Sequence, residues 1–97
     1  MAFVASVVWT AREGMEETLL HAVRQLVPAS RREPACLSYV AYRDPARPRT
    51  IRVLEIYTDR AGFEAHAASD HFKTWGFGQA IPALESRDMQ FYEIVEP

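Results

Sequence analysis

Residues 36–57 read CLSYVAYRDPARPRTIRVLEIY. In the second half of this stretch Ile51, Val53, Glu55 and Tyr57 alternate with Arg52, Leu54, Ile56 and Thr58, the period-two pattern of a strand. The first half, about Cys36 to Arg43, is equally rich in strand-forming residues. Between them lies Asp44-Pro45-Ala46-Arg47-Pro48, with Asp at the first turn position and Pro next, as a type I turn prefers. The stretch predicts a β-hairpin at the centre of the chain, and what flanks that hairpin decides the fold.

On the N-terminal side, Phe3 to Thr10 predicts a first strand. Phe3, Ala5, Val7 and Trp9 share one face, while Val4, Ser6, Val8 and Thr10 share the other. Residues 14–32 predict a helix, with Met15, Leu19, Ala22, Val23 and Leu26 on one stripe. Glu16 and Glu17 near its start and Arg31 and Arg32 near its end suit the helix dipole. Pro28 removes an N–H within it, so a kink or restart is expected there. Beyond the hairpin, Asp59 is a plausible N-cap for a second helix carrying Phe63, His66 and Ala67 on one face. Asp70 is expected to cap a restart bearing Phe72 and Trp75, with Gly76 and Gly78 loosening the chain afterwards. A last strand is expected over about Asp88 to Val95.

The order is β-α-β-β-α-β, for which the split βαβ, ferredoxin-like α+β fold with a four-stranded antiparallel sheet is the natural solution. Right-handed crossovers put both helices on one face of that sheet. Strands one, three and four carry apolar residues on the other face as well. A second copy packed sheet on sheet would cover it, so a homodimer is expected.

The chain has 97 residues, which is the size of a single domain, here residues 1–97. Eleven basic and thirteen acidic side chains leave a net charge of −2, an unpromising balance for nucleic acid or an anionic membrane. Recognition of RNA on such a sheet also uses a Lys/Arg-Gly-Phe type motif on the third strand, which Ile51 to Tyr57 lacks. No apolar run approaches the ~20 residues of a membrane span. The apolar start lacks a basic flank and reads as a strand rather than a signal peptide. Cys36 is the sole cysteine, so no internal disulfide can form and a cytoplasmic location is the expectation.

Four short motifs follow one another at telling distances: Glu33-Pro34-Ala35-Cys36, Arg43-Asp44-Pro45, Glu55-Ile56-Tyr57, and His66 through Ser69-Asp70-His71-Phe72. Their order and spacing resemble the antibiotic biosynthesis monooxygenase (ABM) family, with Ala35 where the family usually has Gly. The resemblance spans nearly the whole chain. It implies a dimeric α+β barrel with a pocket between sheet and helices in each protomer. It also implies oxidation of a phenolic, quinol or polyketide-like aromatic by O₂ without flavin, haem or metal. Other members of the fold are small-molecule isomerases or ligand-binding proteins, and that is the alternative expectation. One branch degrades haem and uses an Asn on the first strand; this chain contains no Asn, which argues against that activity.

Oxygenation without a cofactor needs a general base, an oxyanion donor and a dry aromatic pocket. His66 is the first candidate base, because imidazole exchanges protons near neutral pH and Phe63 shares its helix face. His71 is the second, and shares a site with His66 only if the helix breaks at Ser69-Asp70. Glu55, an acid in an apolar strand, and Tyr57 complete the catalytic candidates. Trp9, Tyr39, Phe63, Phe72, Trp75 and Phe91 are candidate walls of an aromatic pocket, and Arg87 a candidate partner for an anionic oxygen. His21 is expected to face solvent, and Cys36 has no neighbour in sequence that would make it a nucleophile. His66 and His71 are five apart rather than the four of zinc-binding helices, and the sequence offers no obvious third ligand. Neither a metal nor a cofactor is therefore expected.

Overall fold

The computed structural model describes residues 1–96. β1 (Phe3–Ala11) alternates strictly, with Phe3, Ala5, Val7, Trp9 and Ala11 buried and the residues between them half-buried. It lies inside a four-stranded antiparallel sheet of order β2-β3-β1-β4, where β2 is Cys36–Tyr42, β3 is Thr50–Tyr57 and β4 is Leu84–Glu93. Antiparallel ladders join β1 to β3, β1 to β4 and β2 to β3. The β-α-β-β-α-β order and the ferredoxin-like α+β fold are as the hairpin-centred reading predicts.

α1 (Glu16–Arg31) buries Leu19, Ala22, Val23 and Leu26 against Val7, Trp9, Tyr39, Ile51 and Val53 of the sheet. It runs through Pro28 and ends at Arg31, so there is no restart. Proline so close to the C-terminus removes a single helical hydrogen bond, which the packed stripe can offset. The turn after α1 keeps every φ negative, so Ala35 needs no glycine geometry. Its methyl group instead packs against Gly62 of α2 (Arg60–Ala67), where a Cβ would stand 2.7 Å from the Ala35 Cβ. As expected, Asp59 caps α2, its Oδ1 accepting from the Gly62 N–H at 2.9 Å.

Two boundaries differ from expectation. β4 starts at Leu84 rather than Asp88, because Leu84 pairs with Ala11 beyond a register shift in β1. The chain after α2 does not loosen at Gly76 and Gly78. Both lie inside a π-helix, Phe72–Ala80, followed by a single 3₁₀ turn at Ile81–Ala83. Ser69, not Asp70, marks the restart: its Oγ accepts from the Phe72 N–H at 3.2 Å.

Cross-strand pairing sorts the sheet into two faces. Phe3, Val7, Trp9, Glu55, Tyr57, Arg87, Met89 and Phe91 are on the helix side. Val4, Val8, Leu54, Ile56, Val40 and Tyr92 are on the other, with no element of the described residues over them. Among the described residues no helix is long and apolar enough to cross a membrane.

Candidate functional site

The helix-side face of β1 and β4 is only partly roofed, because α2 is eight residues long and the π-helix follows after a break. The gap is a cleft of about 410 Å³. Trp9 and Val7 form its floor, Phe63 and Phe72 two of its walls, and Arg87 its rim, with Glu55 and His66 the ionisable groups at its inner end. A second cleft, about 350 Å³, lies between α1 and the hairpin and is lined by no histidine or carboxylate.

His66 is on the last turn of α2 and is 2% exposed. Its Nδ1 lies 2.7 Å from Oε2 of Glu33, in the turn that leads from α1 into β2. Its Nε2 lies 3.7 Å from Oε1 of Glu55 and is buried without a hydrogen-bond partner among the described residues. Glu55, 4% exposed, accepts from the Tyr57 hydroxyl at 2.6 Å. The helix does break after Ala67: the Ser69 N–H and Oγ both donate to the His66 carbonyl, at 3.1 and 2.7 Å. That break brings His71 back, and its Nε2 meets the same Glu33 oxygen at 2.5 Å. Polar groups thus line up as Tyr57–Glu55–His66–Glu33–His71, hydrogen-bonded except across the 3.7 Å gap between Glu55 and His66, from the core to a residue that is 24% exposed.

Burial governs the electrostatics. Loss of solvent raises the Glu55 carboxyl from 4.5 to about 7; the Tyr57 hydrogen bond opposes that rise and the Glu33 charge adds to it. Burial lowers the His66 imidazole below its ordinary value, against the opposing pull of the Glu33 hydrogen bond and charge. Tyr39 and Tyr57 are both driven upward by burial first and by Glu55 second, so neither phenol ionises readily. Cys36 is also raised, by burial and then by Glu33, which leaves it a thiol.

The structure brings His66, Glu55, Trp9, Phe63, Phe72 and Arg87 to the cleft. Tyr57 and His71 reach it only through the carboxylates they contact. Tyr39 packs against the His66 ring at 5.6 Å from outside the cleft, and Phe91 supports Phe63 from behind at 5.2 Å. Trp75 lies elsewhere, edge-on to the exposed His21 at 5.5 Å on the α1 side. Several residues escaped the sequence reading, among them Phe77, Met89 and Glu33. Phe77 and Met89 line the cleft. Glu33, whose Oε2 both histidines share, is the third candidate ligand that spacing along one helix did not reveal. It sits in the Glu-Pro-Ala-Cys motif, 33 residues from His66, so only that motif pointed to it.

Among curated proteins none matches the chain by sequence. Solved structures superpose closely. A protein from Shewanella oneidensis, SO0527, is 30% identical with a TM-score of 0.85, over 94% of this chain and 88% of that one. PA3566 from Pseudomonas aeruginosa is 26% identical with a TM-score of 0.89, over 98% and 95%. A third, described as an antibiotic biosynthesis monooxygenase, shares the fold at 24% identity and a TM-score of 0.88, over 99% and 100%. The family model for antibiotic biosynthesis monooxygenases matches residues 2–76, which include every polar member of the Tyr57-to-His71 path. By sequence and by fold, the chain belongs to the antibiotic biosynthesis monooxygenase (ABM) family.

Proposed function

We propose that the protein is a cofactor-independent monooxygenase acting on a small phenolic or quinol substrate with O₂. The supporting observation is the buried Nε2 of His66, unpartnered at the inner end of an aromatic cleft while Nδ1 is engaged by Glu33. With the proton on Nδ1 donated to Glu33, Nε2 is left as an acceptor. A phenolic O–H entering between Trp9, Phe63 and Phe72 would pass its proton to the Glu55–His66 pair. The phenolate so formed is electron-rich enough to reduce O₂ directly. A phenol with a free para C–H then gives a quinone and one water, the substrate supplying all four electrons. Arg87 at the rim suits the developing oxyanion. The aromatic walls keep water from the intermediates.

The proposal includes a homodimer through the bare sheet face. Val4, Val8, Val40, Leu54, Ile56 and Tyr92 form an apolar surface there, with Val40 42% and Tyr92 56% exposed in the single chain.

Oxygen uptake with a panel of hydroquinones and naphthols tests the activity. Turnover by wild type without added metal or flavin is expected. His66→Gln, which keeps a similar length and polarity, should lose ~10²- to 10⁴-fold, the usual worth of a general base. Equal rates for the two proteins would refute the base assignment. Turnover that persists without O₂ would favour the isomerase-like alternative.

A further inference from the structure

We propose that Glu33, His66 and His71 form a binding site for a borderline divalent transition cation such as Zn²⁺, and that its occupancy switches His66 from acceptor to donor in the cleft. Their three candidate ligand atoms all lie within 4.8 Å of one another. They come from three separate segments: the turn after α1, the end of α2, and the helical turn that opens the π-helix. Two imidazoles and one carboxylate are the donor set of such cations, with Zn–N and Zn–O near 2.0–2.2 Å. A second observation points to a ligand. The other oxygen of Glu33, Oε1, is buried with no hydrogen-bond partner among the described residues. An idle carboxylate oxygen cut off from water is costly, and a cation held at this carboxylate would offset that cost.

Tetrahedral ligands around zinc stand ~3.3 Å apart, so the Nδ1–Oε2 and Nε2–Oε2 contacts must each open by under ~1 Å. His71 sits on the helical turn that leads into the π-helix and is 24% exposed, which gives the site a route to solvent. The proton balance closes without release. Each neutral imidazole shifts its proton to the nitrogen that does not bind metal: Nε2 in His66, Nδ1 in His71. The metal sits on the far side of the His66 ring from Glu55, because it takes Nδ1 while Nε2 faces Glu55. With the cation bound, Nε2–H points at Glu55 and the acceptor described above is gone. The cation is therefore inhibitory. That consequence rests on the proposed base role of His66; the binding site does not.

The test uses untagged, chelator-treated protein titrated with Zn²⁺ by calorimetry and with Co²⁺ by visible absorption. One cation per chain with tetrahedral Co²⁺ bands is expected. His71→Ala and Glu33→Gln should each weaken binding at least ~10-fold. His71→Ala alters a partly exposed side chain, so its folding is checked by circular dichroism and Glu33→Gln, with the same shape, provides the second variant. Imidazole ¹⁵N shifts at about pH 8 should move the His66 proton from Nδ1 to Nε2 on Zn²⁺ addition. No binding by wild type, or binding indifferent to both substitutions, overturns the site. Binding with the proton still on Nδ1 overturns the switch. Binding and proton transfer without loss of oxygenase turnover uphold the site and overturn the base role of His66.

Discussion

Glu55→Gln separates two views of the buried core. In wild type the Glu55 carboxyl faces the Tyr57 hydroxyl on its own strand and His66 on α2. Tyr39 on β2 is its neighbour in register, and Glu33 raises it by charge. Burial lifts it from 4.5 to about 7, so the fold binds its proton more tightly than the unfolded chain does. A raised carboxyl contributes stability that is full below 4.5 and is lost as pH rises through about 7. The size of that loss, from the gap between the two values, is about 3 kcal/mol. Gln keeps an acceptor for Tyr57 and cannot ionise. Urea unfolding of both proteins between about pH 4 and about pH 8.5 gives the difference in stability at each pH. His66, lowered by burial, has the opposite dependence and loses stability as pH falls; being common to both chains, it cancels in the difference to first order. The variant should gain about 3 kcal/mol relative to wild type over that range. A flat difference, or one that falls with pH, would mean that Glu55 is ionised in the fold and paired with a charged His66. The reasoning from desolvation would then be wrong.

Three further outcomes follow from packing. Gly62→Ala puts a Cβ 2.7 Å from the Ala35 Cβ and 3.2 Å from the Tyr57 Cβ, so it should cost ~1–3 kcal/mol in urea unfolding, and Ala35→Gly should recover most of it. Gly76→Ala puts a Cβ 2.7 Å from the Phe72 ring, which lies over the glycine and 5.0 Å from His66; displacing that cleft wall should raise KM in steady-state kinetics and cost ~1–3 kcal/mol in chemical unfolding. Leu54→Arg, on the bare sheet face, should convert a dimer to a monomer by sedimentation velocity, and an unchanged mass would remove that face as the interface.

The fold was legible because local chemistry and global topology agree around the hairpin. Strand alternation placed Glu55 and Tyr57 on one face, and the ladder to β1 confirms that this is the helix face. His66 was legible for the same reason, since Phe63 fixes which side of α2 turns inward. Glu33 was harder: its role depends on the turn after α1 lying beside the end of α2, a tertiary contact that periodicity cannot show. The start of β4 was missed because it depends on a register shift at Thr10/Ala11, where pairing decides strandedness and side-chain pattern does not.

The aromatic walls show how a change of helix type redistributes side chains. On an α-helix starting at Phe72, Trp75 and Gly76 lie three and four residues on and would share its face. In a π-helix the hydrogen bond spans five residues, so i+4 and i+5 both come to the face of residue i. Phe72 and Phe77 accordingly meet at 5.0 Å, both lining the cleft, while Trp75 turns to His21 on the opposite side. The glycines permit this. At Gly76 a side chain would strike the Phe72 ring, and at Gly78 it would come within 3.2 Å of the Lys73 carbonyl. Gly76 and Gly78 therefore act together, through close approach rather than flexibility. They let a nine-residue π-helix present two phenyl rings to the cleft where an α-helix of the same sequence would present one. The cleft owes two of its four aromatic side chains, Phe72 and Phe77, to that local geometry. Its ionisable end is set separately, by Glu33 and Glu55 holding His66 from either side.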